Sequence, residues 1–398
     1  MVSAGVDSER RNMTFSLDPV AIEPLLFGMV DTVRGPGLTP LRLPDRAFEQ
    51  MFDEFSRAVA SCSAGIRLEF ESAASRIELN VTLTRHPLIA GNTPSWFCLI
   101  VDGQPVRIEE VSAVTDADRV SETDTVTATV LFDISETFAV GRRNLQIWFP
   151  HDAKVSINLL RADAPVTPST MAPRPRWIHY GSSISQCTDT SNPIDAWPAA
   201  ASRELDLDLV SMGLAGSCML DPYVARAIRD TPADVITLKI GINIVGADAF
   251  AARSLSPAIH GFIDTIRDGH PDTPIVVISP IFCGIHEFTP GPTVKGPDGT
   301  YAAAGTGNLT LSDIRLALDQ VVADRVTQDP ALFRLDGRRL LGESDSSHLY
   351  DSVHPDTDGY RAMARRFSEL GRTAGNDLHD AISAARNRNA RGYEGPKE

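Results

Sequence analysis

Residues 177–186 read Trp-Ile-His-Tyr-Gly-Ser-Ser-Ile-Ser-Gln. The run Trp177–Tyr180 suits a short buried strand, Gly181 permits a tight turn, and the serines that follow suit the start of a helix. A strand that hands over to a helix in this way exposes a hydroxyl and a backbone N–H at the positive end of the helix dipole. Further apolar runs lie at Leu207–Val210, Val235–Ile240, Ile275–Ile281 and Leu332–Leu335, each ahead of a helical stretch. That rhythm predicts a doubly wound α/β domain on a five-stranded parallel sheet. The stripes Ile314, Leu318, Val321, Val322 and Tyr360, Met363, Phe367, Leu370 read as helix packing faces.

Upstream the pattern changes. Residues Ala162–Arg176 hold four prolines, a stiff composition that continues neither a helix nor a central strand. Before them the period is two: Ile77, Leu79, Val81 and Leu83 alternate with polar residues, as do Val126, Ala128, Val130 and Phe132 with Thr and Leu. Shorter strands are expected at Ile66–Phe70, Trp96–Val101, Leu145–Phe149 and Val155–Leu160, with Asp102-Gly103 as a turn; together they predict an antiparallel β-sandwich. Phe48, Met51, Phe52, Phe55 and Val59 recur at helical spacing and predict one amphipathic helix. The expected organisation is a β-sandwich over 1–165, a proline-rich linker over 166–176, the α/β domain over 177–375 and a polar, frayed tail over 376–398.

The composition excludes several classes. With 42% hydrophobic and 22% charged residues in 398, the chain is neither disordered nor a disulfide-stapled miniature. A formal charge of −15 repels nucleic acid and anionic membrane surfaces, so neither is an expected partner. The first twenty residues show no apolar run behind a basic start, and five dispersed cysteines without a Cys-x-x-Cys spacing suggest no disulfide framework and no zinc site. The expectation is a cytoplasmic protein without metal or cofactor.

In an open parallel sheet the reactive groups gather beyond the carboxyl ends of the strands. Four segments stand there. Ser183 opens a helix and is a candidate nucleophile, although serine is also a common helix cap, the reading kept for Ser182 and Ser185. The turn Gly213–Gly216 and the Asn243 amide could supply donors to an oxyanion, or be an ordinary turn and a loop-bonding amide. Asp351 and His354 lie in one short loop. A serine hydroxyl needs an imidazole to take its proton and an acid to hold that imidazole, and the same pair could instead cap the next helix. The long Gly- and Pro-rich stretch Cys283–Asn308 reads as a lid or as a disordered surface loop, with His286 and Glu287 on solvated surface. Cys187 and Cys218 read as small packing residues.

Taken together, Gly181-Ser182-Ser183-Ile184, Gly216, Asn243 and Asp351-x-x-His354 resemble the four blocks of the SGNH, or GDSL-like, esterase and lipase superfamily. YGSSISQ, GINIVG and SPIF at Ser279–Phe282 resemble the subgroup whose first block is Gly-Ser-Ser-Ile. The resemblance spans about Trp177 to Leu370, and the preceding sandwich resembles the jelly-roll-like domain of related esterases. It implies a flavodoxin-like sheet, Ser183 as nucleophile, His354 as general base and acid, and Asp351 as the group orienting His354. The Ser183 and Gly216 N–H groups and the Asn243 side chain would form the oxyanion hole. Two positions depart from the pattern: Ser182 stands where an Asp is usual, and Ile244 replaces the Asp of Gly-x-Asn-Asp.

The implied activity is hydrolysis of a carboxylic ester through an acyl-serine, with a small acyl group on a sugar or polyol as the leading substrate. Natural-product deacylation, lactone opening and acyl transfer would use the same residues. A non-catalytic carbohydrate-binding protein on a degenerate scaffold is the rival from another class, and a homo-oligomer is left open.

Overall fold

The computed structural model describes residues 13–90, 94–112, 124–138, 141–190 and 192–391. The chain divides into two compact units. The first comprises Met1–Asp45, Arg57–Ala172 and Ser191–Ile194; the second comprises Arg46–Ser56, Pro173–Thr190 and Asp195–Glu398. The main cut falls between Ala172 and Pro173, inside the proline-rich stretch, while two short segments change sides in a way no single cut in the sequence reveals.

The first unit is built from β1 (Phe15–Leu17), β2 (Leu26–Phe27), β3 (Asp31–Arg34), β4 (Leu38–Leu41), β5 (Arg67–Ser72), β6 (Arg76–Arg85), β7 (Ser95–Val101), β8 (Gln104–Val111), β9 (Asp124–Asp133), β10 (Arg143–Trp148), β11 (Ala153–Ala162) and β12 (Val166–Pro168). One antiparallel sheet runs β3-β4-β11-β6-β9 with β1 added to β11; the other runs β12-β5-β10-β7-β8 with β2 added to β5. Period-two patterning explains the sandwich. Along β6 every second residue is buried, and Ile77, Leu79 and Val81 stand opposite Phe132, Val130 and Ala128 of β9. They join Phe70, Phe97, Leu99, Ile147, Val155 and Ile157 in one core, where each fully buried large apolar side chain contributes about 1.5–3 kcal/mol. The alternate positions carry a polar ladder, with Asn80 Nδ2 3.0 Å from Thr129 Oγ1 and Thr82 Oγ1 3.1 Å from Thr127 Oγ1.

Three expectations are corrected. Residues 166–168, expected in the linker, form β12, which pairs with β5 at the edge of its sheet, where Pro168 costs no central ladder bond. The single amphipathic helix over Phe48–Val59 is two pieces: a 3₁₀ turn at Asp45–Gln50 and a helix at Glu54–Ser61. Asp53 starts the second piece by accepting a bond from Ser56 N at 2.7 Å, and Phe52 is 97% exposed. The polar tail is largely a helix, Asp377–Arg391, with Leu378, Ala381, Ile382 and Ala385 buried. Its spacing is helical, but two of the four are alanines and the stripe runs out where Arg386–Asn389 begins, so it is short and weak in the sequence. Residues 392–398 lie outside the described residues.

In the second unit, β13 (Arg176–Gly181), β14 (Asp208–Gly213), β15 (Val235–Lys239), β16 (Ile275–Ile278) and β19 (Leu332–Leu335) form an all-parallel sheet in the order β14-β13-β15-β16-β19. A small hairpin of β17 (Thr293–Lys295) and β18 (Tyr301–Ala303) is inserted after β16. Strands β14, β15 and β16 are buried along their whole length and β13 beyond its first residue, which accounts for their apolar runs. Trp177 stacks on Phe367 at 5.1 Å between centroids and donates from Nε1 to Thr237 Oγ1 at 2.8 Å. This is the flavodoxin-like order; β13 has its sequence successors on either side, so the crevice at its carboxyl end is the switch point of the fold. No helix among the described residues is long and apolar enough to cross a membrane.

Candidate active site

Beyond Gly181 the chain turns into a four-residue helix, Ser183–Gln186, capped by Ser182, whose hydroxyl accepts from Ile184 N at 3.3 Å. Ser183 is thus the first helical residue, with an N–H that has no intrahelical acceptor. Gly181 is dictated by packing: a Cβ there would lie 2.1 Å from Ser185 Oγ. Ser185, read as a cap, instead bonds His179 Nε2 at 2.8 Å, and His179 Nδ1 meets Thr237 Oγ1 at 2.7 Å. Burial pushes the His179 imidazole down to about 3, aided by the nearby Lys239 ammonium, so it stays neutral and braces the turn.

The loop after β14 is tied to that turn. Leu214 N donates to Gly181 O at 2.7 Å, and Ala215 N donates to Gln186 Oε1 at 3.1 Å. Gly216 is exposed with φ +67°, and a Cβ on it would meet Phe55 Cε1 at 3.1 Å. Both observations ask for glycine. Ser217 Oγ lies 3.1 Å from Ser56 Oγ. After β15, Gly241 has φ +144° and would collide with Pro280 if it carried a side chain. Asn243 then accepts from Cys218 N at its Oδ1, 3.1 Å away. A backbone N–H demands an acceptor, so this bond assigns the amide and leaves the Asn243 NH₂ as a donor.

The fourth segment lies past β19. Asp351 Oδ1 accepts from Val353 N at 2.9 Å and from His354 N at 2.7 Å, and Oδ2 meets His354 Nδ1 at 2.7 Å. Burial alone would raise the Asp351 carboxyl; the bonds from the His354 ring and backbone and from Val353 outweigh it and hold it below the usual range. An ionised Asp351 has no proton to give, so Nδ1–H donates to Oδ2 and Nε2 is left with its lone pair. That nitrogen lies 2.9 Å from Ser183 Oγ. The fold therefore joins Ser183 to His354, 171 positions away, and through it to Asp351, in one hydrogen-bonded relay.

Supports without a sequence signal complete the loop. Ser352 between the two sits at φ +76°, and the Cys283 thiol donates to its carbonyl at 3.4 Å. Burial pushes the thiols of Cys283 and Cys218 up to about 12 and that of Cys187 higher still, so all three stay protonated. Tyr301 N donates to Asp351 O at 2.9 Å, and its ring meets the His354 imidazole with centroids 5.8 Å apart.

The stretch Cys283–Asn308 is an ordered wall, not a disordered loop. His286 and Glu287, expected on solvated surface, are buried. His286 Nε2 lies 2.7 Å from Thr293 Oγ1, and Glu287 is held by both terminal nitrogens of Arg315, at 2.6 and 3.0 Å. At the far end Asn308 N donates to Asp248 Oδ1 at 2.8 Å. Among the described residues no group of three or more His, Cys, Asp or Glu is placed to hold a metal ion.

The GDSL-like lipase/acylhydrolase family profile matches residues 175–289. Among curated proteins none matches the chain. Among solved structures, the salicylyl-acyltransferase SsfX3 from a tetracycline biosynthetic pathway is similar, with 25% identity, a TM-score of 0.74, and 89% of this chain and 96% of that one covered. A Bacteroides ovatus protein assigned as a GDSL-like lipase aligns at 17% identity and TM-score 0.65, covering 90% and 96%. A family two carbohydrate esterase from Clostridium thermocellum, in complex with cellohexaose, aligns at 16% and 0.55, covering 78% and 93%. The profile match and the strand order define the class: the second unit is an SGNH, or GDSL-like, hydrolase domain. A β-sandwich precedes that domain in the chain.

Proposed function

We propose that Ser183 attacks the carbonyl carbon of a carboxylic ester and carries the acyl group. The observation behind this reading is the relay from Ser183 Oγ through His354 to Asp351, with links of 2.9 and 2.7 Å. As the Oγ–carbon bond forms, the hydroxyl proton passes to His354 Nε2, and Asp351 stabilises the imidazolium. The oxyanion is met by the N–H groups of Ser183 and Gly216 and by the Asn243 amide. Collapse breaks the carbon–oxygen bond to the alcohol, which takes the proton from Nε2. Water then attacks the acyl carbon, gives its proton to Nε2 and releases the acid, and Ser183 Oγ recovers its proton.

For substrate we propose a small acyl group on a sugar or polyol, supported by the likeness, over 78% and 93% of this chain, to two family two carbohydrate esterases. A second reading is acyl transfer to an alcohol other than water, favoured by the likeness over 89% of the chain to an acyltransferase. A cytoplasmic location fits five buried cysteines that form no disulfide among the described residues. The test is fluorophosphonate labelling beside p-nitrophenyl acetate turnover: wild type should label and turn over, and Ser183→Ala should do neither. Turnover that survives Ser183→Ala removes Ser183 from the reaction.

A further inference from the structure

The hairpin Thr293–Ala303 is held at both ends and seated on the loop that carries Asp351 and His354. Its base is anchored by His286 on Thr293 and by the buried Glu287–Arg315 pair, and β18 begins with the bond from Tyr301 N to Asp351 O. The half-exposed Tyr301 ring lies against the imidazole, and Lys295, opposite it in the hairpin register, holds its ammonium 5.5 Å from the ring centroid. The ring is therefore restrained from two sides.

Resting on the acyl-serine reading above, the stereochemistry of the adduct gives this ring a role. A tetrahedral carbon on Ser183 Oγ points one substituent, the oxyanion, at the N–H donors. A second, the leaving oxygen, must come within reach of His354 Nε2 to be protonated. The acyl chain takes the remaining direction. Whatever is bonded to the leaving oxygen therefore extends along the imidazole, where Tyr301 stands. We propose that Tyr301 is a specificity-determining residue for the alcohol half of the ester. It favours alcohols with a ring or an extended carbon skeleton over ethanol-sized ones and leaves the acyl group to other parts of the site.

The test compares esters whose alcohols have similar acidity. Between cyclohexylmethyl acetate and ethyl acetate, Tyr301→Ala should lower kcat/KM for the bulky ester about ten-fold more than for the small one, while preference among acetyl, butyryl and hexanoyl ethyl esters changes by less than about two-fold. Tyr301→Phe should keep the wild-type ratio, because the ring and not the hydroxyl does the selecting. An equal loss on every ester would make Tyr301 a positioning residue acting through His354 and overturn the proposal, as would an unchanged alcohol preference. Fluorophosphonate labelling separates the two layers: an unlabelled wild type sinks the acyl-serine reading, whereas labelled protein without the selectivity change sinks only the role of Tyr301.

Discussion

Asn243 can be dissected because its two amide atoms are assigned different tasks: Oδ1 accepts from Cys218 N, and the NH₂ is left for an oxyanion. Asn243→Asp keeps an acceptor for Cys218 and replaces the donor with a carboxylate oxygen. Losing one oxyanion donor costs on the order of 10²–10³ in kcat, about 2.7–4 kcal/mol, and negative charge beside a developing oxyanion adds to that loss. Stability should barely change. Asn243→Ala removes both tasks and leaves the N–H of buried Cys218 unpaired, which costs about 1–3 kcal/mol of stability, a downward shift of several degrees in a domain of this size. Turnover of p-nitrophenyl acetate and a thermal scan on wild type and both variants read the two effects separately. If Asn243→Asp turns over within a few-fold of wild type, the amide is not an oxyanion donor. If it melts as low as the alanine variant, the Cys218 bond does not carry the stability assigned to it.

Gly181→Ala should destabilise the α/β unit by about 1–3 kcal/mol and reduce kcat/KM sharply, since its Cβ would have to displace Ser185 from 2.1 Å and shift the turn that carries Ser183; unchanged melting and activity would refute the close-packing argument. His179 sets a pH dependence of stability. Its folded value lies near 3, below the ordinary imidazole range, so as pH falls from about 6.5 toward about 3 the unfolded chain takes up the proton first and stability is progressively lost, with no loss above that window. The urea midpoint should therefore fall more steeply with acid in wild type than in His179→Gln, and parallel slopes would refute the assignment.

The parallel sheet was legible because its strands write apolar runs, and because three of the five are punctuated by the glycines their turns demand: Gly181, Gly213 and Gly241. The candidate site was legible for the same reason, since a doubly wound sheet sends its strand ends to one edge and makes four short motifs one question. What escaped was set by distant packing. Nothing around Tyr301 or Cys283 shows that one will meet the imidazole and the other the Ser352 carbonyl. His286 and Glu287 look like surface residues until Thr293 and Arg315 are brought to them. The break at Phe52 is invisible in the apolar spacing, which continues through it, and only the cap Asp53 marks where the helix restarts. The final helix is faint for the opposite reason, two of its four buried residues being alanines and the polar run Arg386–Asn389 following at once.

The tip of the inserted hairpin closes on itself: Gly296 N bonds Thr300 O at 2.8 Å, and Asp298 Oδ1 receives both the N–H and the hydroxyl of Thr300. Its shape therefore depends on five consecutive residues and not on the sheet beneath. Tyr301 follows that tip directly and bonds Asp351 O, so a change in the tip's length is passed to the loop that carries Asp351 and His354.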